Sequence, residues 1–182
     1  MFVIKFQGDI QASAVSSLRE QISAICQIAK KQDEVICCIE SGGGAVHAYG
    51  LAASQLIRLK TIGLKLTVVV DKVAASGGYL MAAVADDLVC APFSIIGSIG
   101  VLMQLPNFHK VLDKNGVEFE QITSGEHKRT ITMFGKNTPA DRKKVTEEIS
   151  QVHKLFKDAV KKYRPGLDLK KVATGEYWLG SD

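Results

Sequence analysis

The chain has 182 residues, 46% of them hydrophobic and 23% charged, with a net charge of +4. That length and balance suit one domain, or one domain and the start of another, around a sizeable core, and exclude a disordered chain. The densest basic run, Arg142-Lys143-Lys144 with Lys154, Lys157, Lys161 and Lys162, is interleaved with Glu147, Glu148 and Asp158. On one amphipathic helix this is a solvated face, and no nucleic-acid partner is expected.

The predicted elements alternate short apolar runs with helical periodicity, the pattern of an α/β fold. Residues 2–6 read as a strand that leaves no room for a leader peptide. Val15, Leu18, Ile22, Ile25 and Ala29 then mark one face of a helix. A strand over 35–39 ends at Ser41-Gly42-Gly43-Gly44, and its adjacent Cys37 and Cys38 point to opposite faces. The four cysteines lack C-x-x-C or zinc spacing and read as buried free thiols. A second helix carries Val46, Leu51, Leu56 and Ile57 into a strand over 66–70.

Ser76 is expected at a tight turn, ahead of a helix over 77–85 and a strand over 88–91. Residues 88–108 contain no charge, long enough to span a bilayer, but Pro92, Gly97, Gly100 and Pro106 make the segment buried or groove-lining instead. A Gly-broken segment and residues 100–105 follow, then a helix over 107–115, a strand over 118–122 and a loop over 124–136. The clearest helix has Thr138 as N-cap, Pro139 in the first turn and Val145, Ile149, Val152, Phe156 and Val160 as its buried stripe, ending before Pro165. Residues 172–182 read as a turn into a strand that is cut off, as in a segment of a longer protein.

Two glycine clusters follow predicted strands, where open α/β sheets carry their sites. Gly42-Gly43-Gly44 is either a plain turn or a close backbone approach with bare N–H groups; without Gly-Lys-Ser/Thr it is no phosphate loop. Ser76-Gly77-Gly78 reads equally as a helix cap or as a nucleophile whose oxyanion would meet the N–H groups of Gly77 and Gly43. It is not the G-x-S-x-G elbow, since Ala74 stands at the first glycine. A base is harder to find. His47, His109, His127 and His153 have no convincing acid partner, although His47 with Asp71 is conceivable. A lysine base must be neutral, and a free lysine is neutral roughly 0.04% of the time at pH 7. Lys128 is distinguished from the other lysines only by its loop and the apolar Ile131, Met133 and Phe134 that follow, which also suits a surface lysine.

The stretches ESGGGAVHAYGLAAS, VDKVAASGGYLMAAVADDLVCAPFSIIGSIGV, GEHKRTITMFGKNTPADR and VATGEYWLG occur in this order across most of the chain. They resemble the SohB branch of the signal-peptide-peptidase (SppA-like) serine peptidases. The resemblance implies an α/β, ClpP/crotonase-like fold of stacked ββα units, with residues 1–182 as a single peptidase core truncated at both ends. It implies Ser76 as nucleophile, Lys128 as general base, Ser98 as the hydroxyl that orients the lysine, and Gly43 and Gly77 as oxyanion donors. Leu102 and Met103 would line a groove for apolar peptides. No metal or cofactor is implied. A ring-like homo-oligomer, with sites that subunits can share, is implied, as is attachment to the bacterial inner membrane through a missing N-terminal segment, with the catalytic side periplasmic. Two departures stand out: Gly42 replaces the family's usual proline, and Arg129 replaces a frequent serine. The alternatives are a catalytically inactive assembly domain of the same fold and an acyl-CoA enzyme, which shares the paired N–H hole.

Overall fold

The computed structural model describes residues 1–125 and 128–182; Glu126 and His127, within the stretch that carries Lys128, lie outside the described residues. The chain divides into two compact units, residues 1–100 with 155–182, and residues 101–154.

The first unit is a seven-stranded sheet with helices in βα alternation. β1 (Phe2–Gly8), α1 (Val15–Ile28), β2 (Glu34–Ser41), α2 (Val46–Thr61), β3 (Lys65–Val70), β4 (Val73–Ala75), α3 (Gly77–Ala83), β5 (Asp87–Cys90) and β6 (Ile95–Gly97) follow in order. The sheet runs β5-β3-β2-β4-β6-β7, with β1 also on β2; β7 (Tyr177–Leu179) is antiparallel to β6, and every other pair is parallel. This is the expected α/β architecture. Alternation along β2 buries Val35, Cys37, Ile39 and Ser41, and along β3 it buries Leu66, Val68 and Val70. Cys37 thus sits in the core while Cys38 faces the other way, and burial pushes the Cys37 thiol up to about 12. The sheet meets Leu18, Ile22 and Ile25 of α1 and Tyr49, Leu56 and Leu59 of α2 in one cluster.

Helix α2 ends because Gly63, at φ 82°, takes the left-handed conformation. The Leu64 N–H then reaches the Leu59 carbonyl at 3.1 Å and the Gly63 N–H the Lys60 carbonyl at 2.9 Å, a Schellman closure that starts β3 two residues later. The short strands β4 and β6 and the helix α6 (Leu169–Val172) are additions to the expected pattern. Runs of three or four residues carry too little periodicity to be read locally.

In the second unit, α4 (His109–Lys114) is shorter than the expected 107–115; α5 (Pro139–Tyr163) starts there, where Thr138 and Pro139 place it, and its residues from Leu155 onward belong to the first unit. The strand expected over 118–122 does not form; these residues are exposed and unladdered. Their alternation has a different use. Phe119 packs on Phe134, with centroids 5.7 Å apart, and Phe134 stacks on Phe108 at 6.1 Å. The surrounding loop is tied by the Asn107 amide, which donates to the carbonyls of Thr132 and Gly135 at 2.9 and 3.0 Å. Along α5, Val145 and Val160 are buried and Ile149, Val152 and Phe156 half-buried, as their spacing predicts. Its charged face is solvated, with Lys144 and Glu148 3.9 Å apart. No helix among the described residues is long and apolar enough to cross a membrane.

Candidate functional site

Three parallel neighbours, β2, β4 and β6, end at the same edge of the sheet. Ser41 pairs with Ala74, and Ala75 pairs with Gly97. The residues after those strand ends therefore lie side by side: the glycine turn 42–44, Ser76 and Ser98. Carboxyl ends of parallel strands are where this class of sheet binds its ligands.

Ser76 joins β4 directly to α3 at φ 51° and ψ −119°, a conformation that costs a non-glycine residue about 1–3 kcal/mol. Its side chain makes no cap bond to the helix, so the helix-cap reading of this serine does not hold. The hydroxyl is held out at a strained strand-to-helix turn, the backbone arrangement of a nucleophile elbow without the elbow's first glycine. The turn is locked by the Ser76 N–H donating to the Gly97 carbonyl at 2.8 Å.

The glycines around Ser76 are there for contact. A Cβ on Gly43, itself at φ 88°, would lie 2.6 Å from the Gly77 nitrogen and 2.7 Å from the Ser76 Cβ. A Cβ on Gly77 would strike the Tyr49 ring at 2.4 Å, and one on Gly78 the Ser41 carbonyl at 2.5 Å. Gly43 and Gly77 are thus in direct contact beside Ser76. Gly77 opens α3, so its N–H has no carbonyl one turn back to bond. The Gly43 N–H donates to Ser41 Oγ at 3.0 Å, and the Gly44 N–H has no hydrogen-bond partner among the described residues. Nothing local in the sequence marks Ser41 or Tyr49 as part of the site, beyond a serine ahead of three glycines; the tyrosine looks like any buried aromatic.

Ser98 follows β6 at φ 50°, with its N–H on the Glu176 carbonyl at 2.8 Å and its hydroxyl donating to the Gly175 carbonyl at 3.2 Å. The Trp178 ring lies against Gly97, where a Cβ would come within 2.9 Å of it. The segment 174–178 therefore braces the Gly97–Ser98 turn. His47 is exposed at the start of α2, and among the described residues neither it nor Asp71 hydrogen-bonds the other or Ser76.

The remaining expected residues belong to the second unit. Lys128 is exposed and lines a cleft of about 500 Å³ with Phe119, Ile122, Ser124 and Arg129. Its N–H donates to the Gly125 carbonyl at 3.1 Å. Leu102 and Met103 are exposed, at 77% and 53%. No cluster of metal-ligating side chains occurs among the described residues.

A parallel α/β sheet presenting a strained serine, flanked by close-packed glycines, at its carboxyl edge defines a hydrolase-like class of site. Comparison with known families agrees. Residues 58–182 match the model of "Peptidase family S49", and residues 1–56 match "Peptidase family S49 N-terminal". The chain belongs to peptidase family S49, whose fold is ClpP/crotonase-like. It is similar to "Probable protease SohB" of Buchnera aphidicola subsp. Acyrthosiphon pisum (strain APS), 56% identical over 181 residues, which are 100% of this chain and 54% of that protein. It is also similar to "Probable protease SohB" of Haemophilus influenzae (strain ATCC 51907 / DSM 11121 / KW20 / Rd), 56% identical over 180 residues, covering 99% of this chain and 51% of that one. The chain spans about half the length of the curated relatives it matches.

Proposed function

We propose that this chain is the core of a serine endopeptidase that cleaves apolar peptides by a Ser–Lys dyad. The observation that carries the reading is the strained Ser76 turn with Gly43 packed onto Ser76 and Gly77, in a chain of a peptidase family. A strained, non-capping serine at the carboxyl edge of a parallel sheet is the geometry a nucleophile at a strand-to-helix turn needs.

In the proposed reaction Lys128, as general base, takes the Ser76 proton as Oγ bonds to the substrate carbonyl carbon. The Gly77 N–H faces the oxyanion from one side. The glycine turn serves the other, where Gly43 shares its N–H with Ser41 Oγ and the Gly44 N–H has no partner among the described residues. Collapse breaks the C–N bond, and the Lys128 ammonium protonates the leaving amine. Water, deprotonated by the same lysine, then releases the acyl group. Ser98 orients the lysine, and Leu102 and Met103 receive the peptide's apolar side chains. By the family resemblance, the working form is a ring-like homo-oligomer at the bacterial inner membrane with its catalytic side periplasmic, and residues 1–182 act as one peptidase core.

The test is cleavage of an apolar, leader-like fluorogenic peptide by the full-length protein, beside Ser76→Ala and Lys128→Ala. Both variants should keep the parent's assembly and lose turnover by at least about a thousandfold. An active Lys128→Ala beside a dead Ser76→Ala would move the base to another residue, His47 first. Mixing the two dead variants should restore part of the activity if subunits share sites.

A further inference from the structure

We propose that Tyr49 and Ser41 are positioning residues for the oxyanion hole, holding its two halves together from within the core; the proposal rests on the peptidase reading above. The two halves come from elements far apart in sequence, the turn after β2 and the first residue of α3. One side chain touches the second and, through Ser41, holds the first. The Tyr49 ring lies against Gly77 so closely that a Cβ there would stand 2.4 Å from the ring carbon Cγ. The Tyr49 hydroxyl is 2.5 Å from Ser41 Oγ, which accepts the Gly43 N–H at 3.0 Å.

The protons of this chain can be followed. Tyr49 has one hydroxyl proton, and it goes to the Asp9 carbonyl at 2.7 Å. The short contact with Ser41 must then carry the serine's proton, whose other acceptor, the Gly8 carbonyl, is farther away at 3.2 Å. The order is Gly43 N–H to Ser41, Ser41 O–H to Tyr49, Tyr49 O–H to Asp9, each donor polarising the next. Burial pushes the Tyr49 phenol up, against the Ser41 hydrogen bond, so the phenol keeps its proton and the order holds across working pH. Ser41 is 2% exposed and Tyr49 is fully buried, so water does not compete for these bonds. Gly8 fits the same arrangement: a Cβ there would come within 2.4 Å of the Tyr49 hydroxyl and 2.6 Å of Ser41 Oγ. The chain thus sets the plane of the Gly43 peptide, and with it the turn facing Gly77, before substrate arrives. Donors fixed in advance are what oxyanion stabilisation requires.

The test uses the full-length protein with Tyr49→Phe, which keeps the ring on Gly77 and its edge contact with Phe6, and with Ser41→Ala. Each should lower kcat about tenfold, less than deleting a donor outright, with KM nearly unchanged. Affinity for a peptide boronate, which mimics the tetrahedral adduct on Ser76, should fall by the same factor. Affinity of a non-cleavable peptide for the Ser76→Ala background should not change. The double variant should lose no more than the worse single one, since both act through one chain of bonds. Unchanged kcat and boronate affinity in a folded Tyr49→Phe or Ser41→Ala would overturn the proposal. So would fully additive losses, or a faster Ser41→Ala in which the released Gly43 N–H works better alone. If instead Ser76→Ala keeps the parent's turnover and the parent binds no boronate, the peptidase reading falls and this proposal with it.

Discussion

Ser76, the proposed nucleophile, carries a backbone cost. At φ 51° serine and alanine are both strained, whereas glycine takes this conformation freely. Ser76→Gly should therefore be more stable than Ser76→Ala by about 1 kcal/mol, the relieved strain less the extra chain entropy of glycine. For a chain of this size that is a melting difference of roughly 2–4 °C, and both variants should be inactive. Equal melting temperatures would mean that the turn stores no strain. The neighbouring glycines illustrate a different limit of reading by sequence. That Gly77 and Gly78 are glycines is visible in the sequence, but that they make room for the Tyr49 ring and the Ser41 carbonyl is not. Those contacts join residues 28 and 37 positions apart, and no local pattern encodes them.

Among the elements, α5 was the most legible. Its apolar stripe repeats over many turns, and its start is written in Thr138 and Pro139. The structure adds the reciprocal half of the cap. The Asp141 N–H donates to Thr138 Oγ1 at 3.2 Å, while the Thr138 N–H and hydroxyl both donate to Asp141 Oδ2, at 2.8 and 2.7 Å. The Thr138 side-chain bond, followed by its backbone bond, holds the Asp141 carboxyl below the ordinary value. Thr138→Ala should weaken the first turn by about 1 kcal/mol, seen as faster amide exchange over its first residues; unchanged protection would refute the cap. The strand expected over 118–122 failed for an instructive reason. Alternation marks a surface with two faces, but a strand also needs a partner for its backbone, and these residues instead lend Phe119 to an aromatic cluster.

Across the first unit, helix α2, strand β3 and the start of β5 meet at Asp86. Its carboxylate accepts the Leu66 N–H at 2.9 Å and pairs with Lys60 at 2.9 Å, and the same ammonium donates to the Val84 carbonyl at 2.9 Å. Burial alone would push the Asp86 carboxyl up; the Leu66 N–H and then the Lys60 ammonium outweigh it and hold it below its ordinary value of 3.8. A carboxyl lowered in the folded state stabilises that state fully above the unfolded value, near pH 4, and loses the contribution as pH falls through the folded one. Stability should thus decline below about pH 4. Asp86→Asn should cost about 1 kcal/mol at neutral pH and flatten that decline. An equally steep acid transition in Asp86→Asn would assign the linkage to other carboxylates.

The sequence by itself determined the α/β class, the main strands and helices and the family, because each is carried by periodicity or by contiguous motifs; of the four cysteines expected to be buried, only Cys37 is, and Cys26, Cys38 and Cys90 are half-buried. It also marked Ser76 and the glycine turn as the places to look. Only the tertiary structure decided that the ends of β2, β4 and β6 lie side by side, that Ser76 is strained and not capping, and that the Gly43 N–H is held by Ser41 under Tyr49. The physical reason is range. Hydrophobic periodicity and turn chemistry act within a few residues, whereas the meeting of parallel strand ends is set by pairing across whole βα units, which no window of sequence contains.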